Sequence, residues 1–93
     1  MSDTTLRSPE DVPRRALGIR IRLVKGDFML GVEDEALHLT GPARLIYAAL
    51  DGRRGVADVA RLVADEYGID EQEALADVRD FLDDLTDRGI IEW

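Results

Sequence analysis

Residues 19–39 read IRIRLVKGDFMLGVEDEALHL, and their alternation decides the fold class. Ile19, Ile21 and Leu23 share one parity while Arg20 and Arg22 take the other, the period of a half-buried strand. Lys25, Gly26 and Asp27 supply a tight turn, after which Phe28, Leu30 and Val32 alternate with Met29 and Gly31 in a second strand. The acidic turn EDE at 33–35 leads to a third, where Leu37 and Leu39 alternate with Ala36 and His38. Strands joined by such short links form an antiparallel meander, because parallel pairing needs a crossover of a dozen residues or more. One face of that sheet is apolar and needs a cover.

The following residues supply it as three helices. Thr40 or Gly41 can cap the first, Pro42 suits its first turn, and Leu45, Ile46, Ala49 and Leu50 form its stripe before Asp51 and Gly52 end it. The second spans about Val56 to Tyr67, with Val56, Val59, Ala60, Val63 and Tyr67 on one face, and Gly68 stops it. The third opens with Asp70 and Glu73, spaced as a capping box with Asp in the cap role, and closes at Arg88 and Gly89. On this helix Ala74, Leu75, Val78, Phe81, Leu82 and Leu85 repeat at the spacing of a buried stripe. Asp77, Asp80, Asp83, Asp84 and Asp87 fall on the opposite arc and face water. A catalytic or metal-binding group would need acids crowded in a sheltered pocket. IIEW at 90–93 finishes as an extended tail. The expected fold is α+β, a three-stranded antiparallel sheet packed on a three-helix bundle, like a winged helix-turn-helix. Residues 1–16, MSDTTLRSPEDVPRRA, hold two prolines and no periodicity, so they read as a flexible N-terminal arm, with the domain spanning 17–93.

Ninety-three residues make one small domain, and 45% hydrophobic with 34% charged residues is the balance of a soluble globular chain. No apolar run approaches the ~20 residues that span a bilayer, and no apolar region follows the charged N-terminus as in a signal peptide, so a cytoplasmic location is expected. The lack of cysteine excludes a disulfide framework, a thiolate metal site and a cysteine nucleophile. Ser2 and Ser8 are the only serines and lie in the arm, so neither a catalytic triad nor the phosphopantetheine-bearing serine of a carrier domain can be assembled. His38, the only histidine, has no second nitrogen or sulfur ligand and reads as a surface residue or a binding contact. VEDE and DEQE lack the frame of a calcium loop, and DGRRG lacks the lysine and preceding strand of a phosphate loop. Neither an enzyme nor a bound cofactor or metal is expected. The net charge of −8, with eight acidic and two basic residues over 70–88, opposes nucleic-acid binding. A small winged-helix DNA-binding regulator is therefore the weaker alternative.

In a meander the first and third strands are the edges. Arg20, Arg22 and Lys25 guard the first. The third has no Lys, Arg or Pro, so it is either a short edge needing no guard or a strand that can take an extended peptide. LHLTGPA at 37–43, the span from Ile46 to Gly68 in the pattern hxxLDGxxxVxDVAxxLxxxYG, and the span from Asp77 to Ile91 in the pattern DVxxFLxxLxxxGhI then add a resemblance. Together with the preceding IRIRL strand, they make about three-quarters of the chain similar to the PqqD-like family, the peptide-recognition domains used in making ribosomally synthesised, post-translationally modified peptides (RiPPs). The chain departs from that pattern at Thr40, where the family often has asparagine.

The resemblance implies three strands on three helices and a non-catalytic, chaperone-like role in natural product biosynthesis. The leader segment of a precursor peptide would be held as an added strand on the third strand, in a groove walled by the third helix. It implies backbone pairing over Ala36, Leu37, His38, Leu39 and Thr40, and side-chain pockets drawn from Leu37, Leu39, Val78, Phe81, Leu82 and Leu85. Asp77 and Asp84 would meet any Lys or Arg of the leader. The implied partners are that leader and a maturation enzyme, whether a radical enzyme, cyclase, dehydratase or leader protease, with no nucleic acid and no membrane. Both monomer and dimer are compatible with it.

Overall fold

The computed structural model describes residues 8–93. In chain order these form β1 (Arg14–Arg15), β2 (Arg20–Val24), β3 (Asp27–Val32), β4 (Glu35–Leu39), α1 (Gly41–Ala48), α2 (Val56–Tyr67), α3 (Glu71–Asp87) and β5 (Ile91–Glu92). β2, β3 and β4 make the antiparallel meander, and β1 pairs with β5 as a separate two-stranded ribbon. Lys25 and Gly26 link β2 to β3 at φ 55° and 85°, the positive pair that a two-residue hairpin needs to follow the twist of its strands. The register sets Ile21 opposite Leu30 and Leu23 opposite Phe28, then Leu30 opposite Leu37 and Phe28 opposite Leu39. These six side chains share one face, as the alternation predicts.

Below that face, the helices begin and end where local chemistry dictates. Pro42 sits in the first turn of α1. Gly68 ends α2 in the left-handed region at φ 66°, its N–H bonded to the Ala64 carbonyl at 2.8 Å. The Asp70 carboxylate caps α3 by accepting the Gln72 N–H at 2.9 Å. α3 buries Ala74, Val78, Leu82 and Leu85 and leaves Asp77, Asp80, Asp83, Asp84 and Asp87 exposed. These apolar residues join Leu30, Leu39, Ile46, Tyr47, Val59 and Val63 in one core. Three helices and a three-stranded antiparallel sheet give the α+β fold. No helix among the described residues is long and apolar enough to cross a membrane.

Two expectations need correction. β2 is not half-buried: all five of its residues are exposed, and Leu23 keeps 68% of its surface in water. The buried core draws on β3 and β4 but takes nothing from β2, so this strand overhangs the helical layer. Residues 8–16 are not a flexible arm, whereas the rest of that expectation, over 1–7, falls outside the described residues. The carbonyls of Asp11 and Pro9 accept the N–H groups of Val56 and Ala57 at 3.0 and 2.9 Å, satisfying donors that the first turn of a helix cannot satisfy internally. Gly55 makes this approach possible, since a Cβ there would lie 3.1 Å from the Pro9 carbonyl. Pro13 is buried, Ala16 donates to the Ile90 carbonyl at 2.9 Å, and the Arg15 guanidinium lies 4.3 Å from the centre of the Tyr47 ring. The same guanidinium donates to the Tyr47 carbonyl at 2.9 Å.

Tyr47 is fully buried and packs edge-on against Phe28, with ring centres 5.2 Å apart. Burial pushes its phenol above the ordinary 10.0, with Arg15 acting in the opposite sense. A value raised by folding contributes stability that is complete below the ordinary value and is lost as pH rises through the folded one. Urea unfolding should therefore show stability falling above pH 10.0, with that part of the fall missing in Tyr47→Phe. At neutral pH the variant should stay within ~1 kcal/mol of the native chain, because the hydroxyl has no hydrogen-bond partner among the described residues to lose.

Candidate functional site

The two-residue link between β3 and β4, Glu33 and Asp34, determines which way the β4 backbone points. The pair flanking such a loop, Val32 and Glu35, is hydrogen-bonded, and antiparallel pairs then alternate. Leu37 and Leu39 therefore turn their backbone groups toward Leu30 and Phe28, while Ala36 and His38 turn theirs away from the sheet. β4 has β3 on one side and no strand on the other among the described residues. The outward N–H and C=O groups of Ala36 and His38 form a free edge.

A cleft of about 420 Å³ opens beside this edge, between the β3–β4 turn and the C-terminal turn of α3. Val32, Leu37 and Ile90 contribute its apolar lining, and Glu33, Asp34, Glu35, Asp87 and Arg88 its charged lining. Arg88 ties the two walls together: its Nε donates to Asp84 Oδ2 at 3.1 Å and its Nη1 to Glu35 Oε1 at 3.4 Å. Exposed pairs of this kind contribute ~0–1 kcal/mol, so they mark where the two walls approach and add little to the stability of the fold.

The expected site residues divide between this cleft and the core. Ala36, His38 and Thr40 are exposed and Leu37 is half-buried in the cleft wall, but Leu39 is only 5% exposed. Val78, Leu82 and Leu85 have at most 1% of their surface exposed, so these expected pocket residues are core residues. Asp77, Phe81, Asp84 and Arg88 follow one another at i, i+4, i+7 and i+11 along one flank of α3. The Arg88 bond to Glu35 turns that flank toward β4. The Trp93 indole donates to the Thr86 hydroxyl at 3.0 Å on the other flank. Asp77 and Asp84 thus lie on the flank nearer β4, and Asp84 is already paired with Arg88. Sequence reasoning missed Arg88, which its position four residues after Asp84 at a helix end could have suggested. It also read the acids of the β3–β4 turn as turn residues and nothing more.

His38 lies on the far face of the sheet, its Nε2 3.2 Å from Asp27 Oδ2. Among the described residues no group of three or more His, Asp or Glu is placed to hold a metal ion. The arrangement offers an unpaired strand, an apolar hollow and an acidic rim. Such a set can hold an extended chain.

The model of the family described as coenzyme PQQ synthesis protein D (PqqD) matches residues 28–91. The chain belongs to the PqqD family. The PqqD match runs from Phe28 of β3 through the free edge, the cleft and all three helices to β5. The chain is also similar to the solution NMR structure of the PqqD truncation of Methylobacterium extorquens PqqCD, with 26% identity and a TM-score of 0.77 over 96% of this chain and 97% of that one. That protein is described as a functional and stand-alone RiPP recognition element. No curated protein sequence matches the chain.

The division between core and flank has a direct test in urea unfolding. Leu82→Ala and Leu85→Ala should each cost ~2–5 kcal/mol through lost burial and a residual cavity. Asp77→Asn should stay within ~0.5 kcal/mol, as an exposed substitution away from the core does.

Proposed function

We propose that this PqqD-family chain binds the leader segment of a ribosomally synthesised precursor peptide as an added strand on β4 and presents it to a modifying or processing enzyme. The observation that carries this reading is the free edge at Ala36 and His38 lying beside the cleft. Membership of the PqqD family and the similarity to a RiPP recognition element support it. An added strand draws affinity from backbone pairing and selectivity from alternate side chains. Those on the Leu37 side of the new strand would pass over the cleft and the Phe81 flank of α3. Those on the other side would lie beside His38 in water.

The rim gives the leader a preferred charge. Glu33, Asp34 and Asp87 line the cleft, and Asp77 has no ion-pair partner among the described residues. Lys or Arg side chains of the leader are favoured there. The chain itself performs no chemistry in this reading. A tethered leader raises the effective concentration of the attached core segment at the enzyme, so modest affinity is enough. The enzyme would be a radical enzyme, cyclase, dehydratase or leader protease. The DNA-regulator alternative gains nothing from the structure, since α3 presents a row of exposed carboxylates that would repel phosphate.

Ala36→Pro isolates strand addition from folding. Its N–H faces away from β3, so proline is tolerated at this edge position while the donor is removed and the approach is obstructed. Calorimetry with the leader half of the precursor encoded beside the gene should show affinity weakened by about five- to thirtyfold, the worth of one or two backbone hydrogen bonds at ~1 kcal/mol each. The urea midpoint should barely move. Native-like affinity in the folded variant would remove β4 from the site.

A further inference from the structure

Among the described residues the sheet has a second free edge, and it is built for the opposite charge. By the same alternation, Arg20, Arg22 and Val24 turn their backbone groups toward β3, leaving those of Ile21 and Leu23 directed outward. The Ile21 and Leu23 side chains lie on the apolar face beyond the reach of the helices, 40% and 68% exposed. Arg20 and Arg22 lie on the opposite face, and Lys25 follows in the turn. None of these three cations has a carboxylate within ion-pair distance among the described residues, in a chain of net charge −8. Between Arg20, Arg22 and Met29 the outer face holds a hollow of about 370 Å³, lined at its base by Gly31 and Ala36. A Cβ at Gly31 would lie 3.0 Å from the Arg20 Nε, so the glycine leaves room for the guanidinium to rest across the sheet.

We propose that β2 is the enzyme-docking edge, taking an extended segment of the modifying enzyme whose carboxylates meet Arg20 and Arg22 and whose alternate apolar side chains cover Ile21 and Leu23. The inference rests on the proposed function for the existence of that enzyme. Cations alone would guard an edge against stray pairing. They do not explain two uncovered aliphatic side chains on the same strand. A second copy of the chain is a poor occupant, because the antiparallel β2–β2 register that matches Ile21 with Leu23 sets Arg22 against Arg22, and like charges directly opposed destabilise a strand pair. A cationic leader is repelled here and attracted at β4. The two edges thereby sort their ligands by charge, and both can be occupied at once because β3 lies between them.

The test uses the full chain, ¹⁵N-labelled, titrated separately with the purified modifying enzyme encoded beside its gene and with the leader half of the precursor. The enzyme should broaden the amide signals of residues 20–24, and its affinity should fall with added salt. Arg20→Glu/Arg22→Glu should weaken enzyme binding by more than about tenfold through the like-charge contacts it creates. Leu23→Ser, at an exposed site that the core does not use, should weaken it severalfold. Both variants should bind the leader like the native chain. Folded variants that bind the enzyme unchanged, an enzyme footprint confined to β4, or no enzyme binding to the native chain would overturn the proposal. Leader binding that fails while the enzyme still maps to β2 would sink the proposed function and leave this docking edge standing.

Discussion

Leu30 sits at the centre of the central strand, with Ile21 and Leu37 across the sheet on either side, and is 1% exposed. Its burial with Val78, Leu82 and Leu85 of α3 fastens the sheet to the helices, and the remaining features follow from that one contact layer. Burial of this extent stabilises each aliphatic side chain by roughly 1.5–3 kcal/mol, so the apolar stripe of α3 is committed to the core. A ligand can then use only a flank of the helix. The flank turned toward β4 carries Phe81, Asp77, Asp84 and Arg88, and the bond from Arg88 to Glu35 spans the cleft between it and the strand.

A short chain with three strands and helices on one face must leave two edges unpaired. Their chemistry differs. β4 meets a cleft rimmed by Glu33, Asp34 and Asp87, whereas β2 presents Arg20 and Arg22 beside uncovered Ile21 and Leu23. In a chain whose net charge is −8, this separation of sign across one three-stranded sheet would suit the two edges to partners of opposite charge without any difference in backbone chemistry.

Most of the architecture was legible because it rests on local rules. Period two gave the three strands and their faces, Asp70 and Gly68 marked helix ends, and the spacing of Ala74, Val78, Leu82 and Leu85 gave the inner face of α3. Periodicity assigns a face and says nothing about depth. That is why Ile21 and Leu23 read as half-buried although the helices stop short of them, and why Val78, Leu82 and Leu85 could not be separated from Phe81 as core from rim. Residues 8–16 were illegible for another reason: carbonyls of Pro9 and Asp11 capping a helix more than forty residues later, and a ribbon of two residues, leave no periodic trace in the sequence. Arg88 joins α3 to Glu35 across 53 residues, a separation at which sequence spacing carries no signal.

The central claim is that a peptide strand pairs with the outward backbone groups of β4, and amide hydrogen exchange residue by residue tests it most directly. In the free chain the N–H groups of Leu37 and Leu39 are protected by β3, while those of Ala36 and His38 are open to water. Saturation with the leader segment should slow exchange at Ala36 and His38 and leave the exchange of their neighbours Leu37 and Leu39 nearly as it was. Leader bound at saturation with Ala36 and His38 still exchanging at their free rates would contradict strand addition on β4.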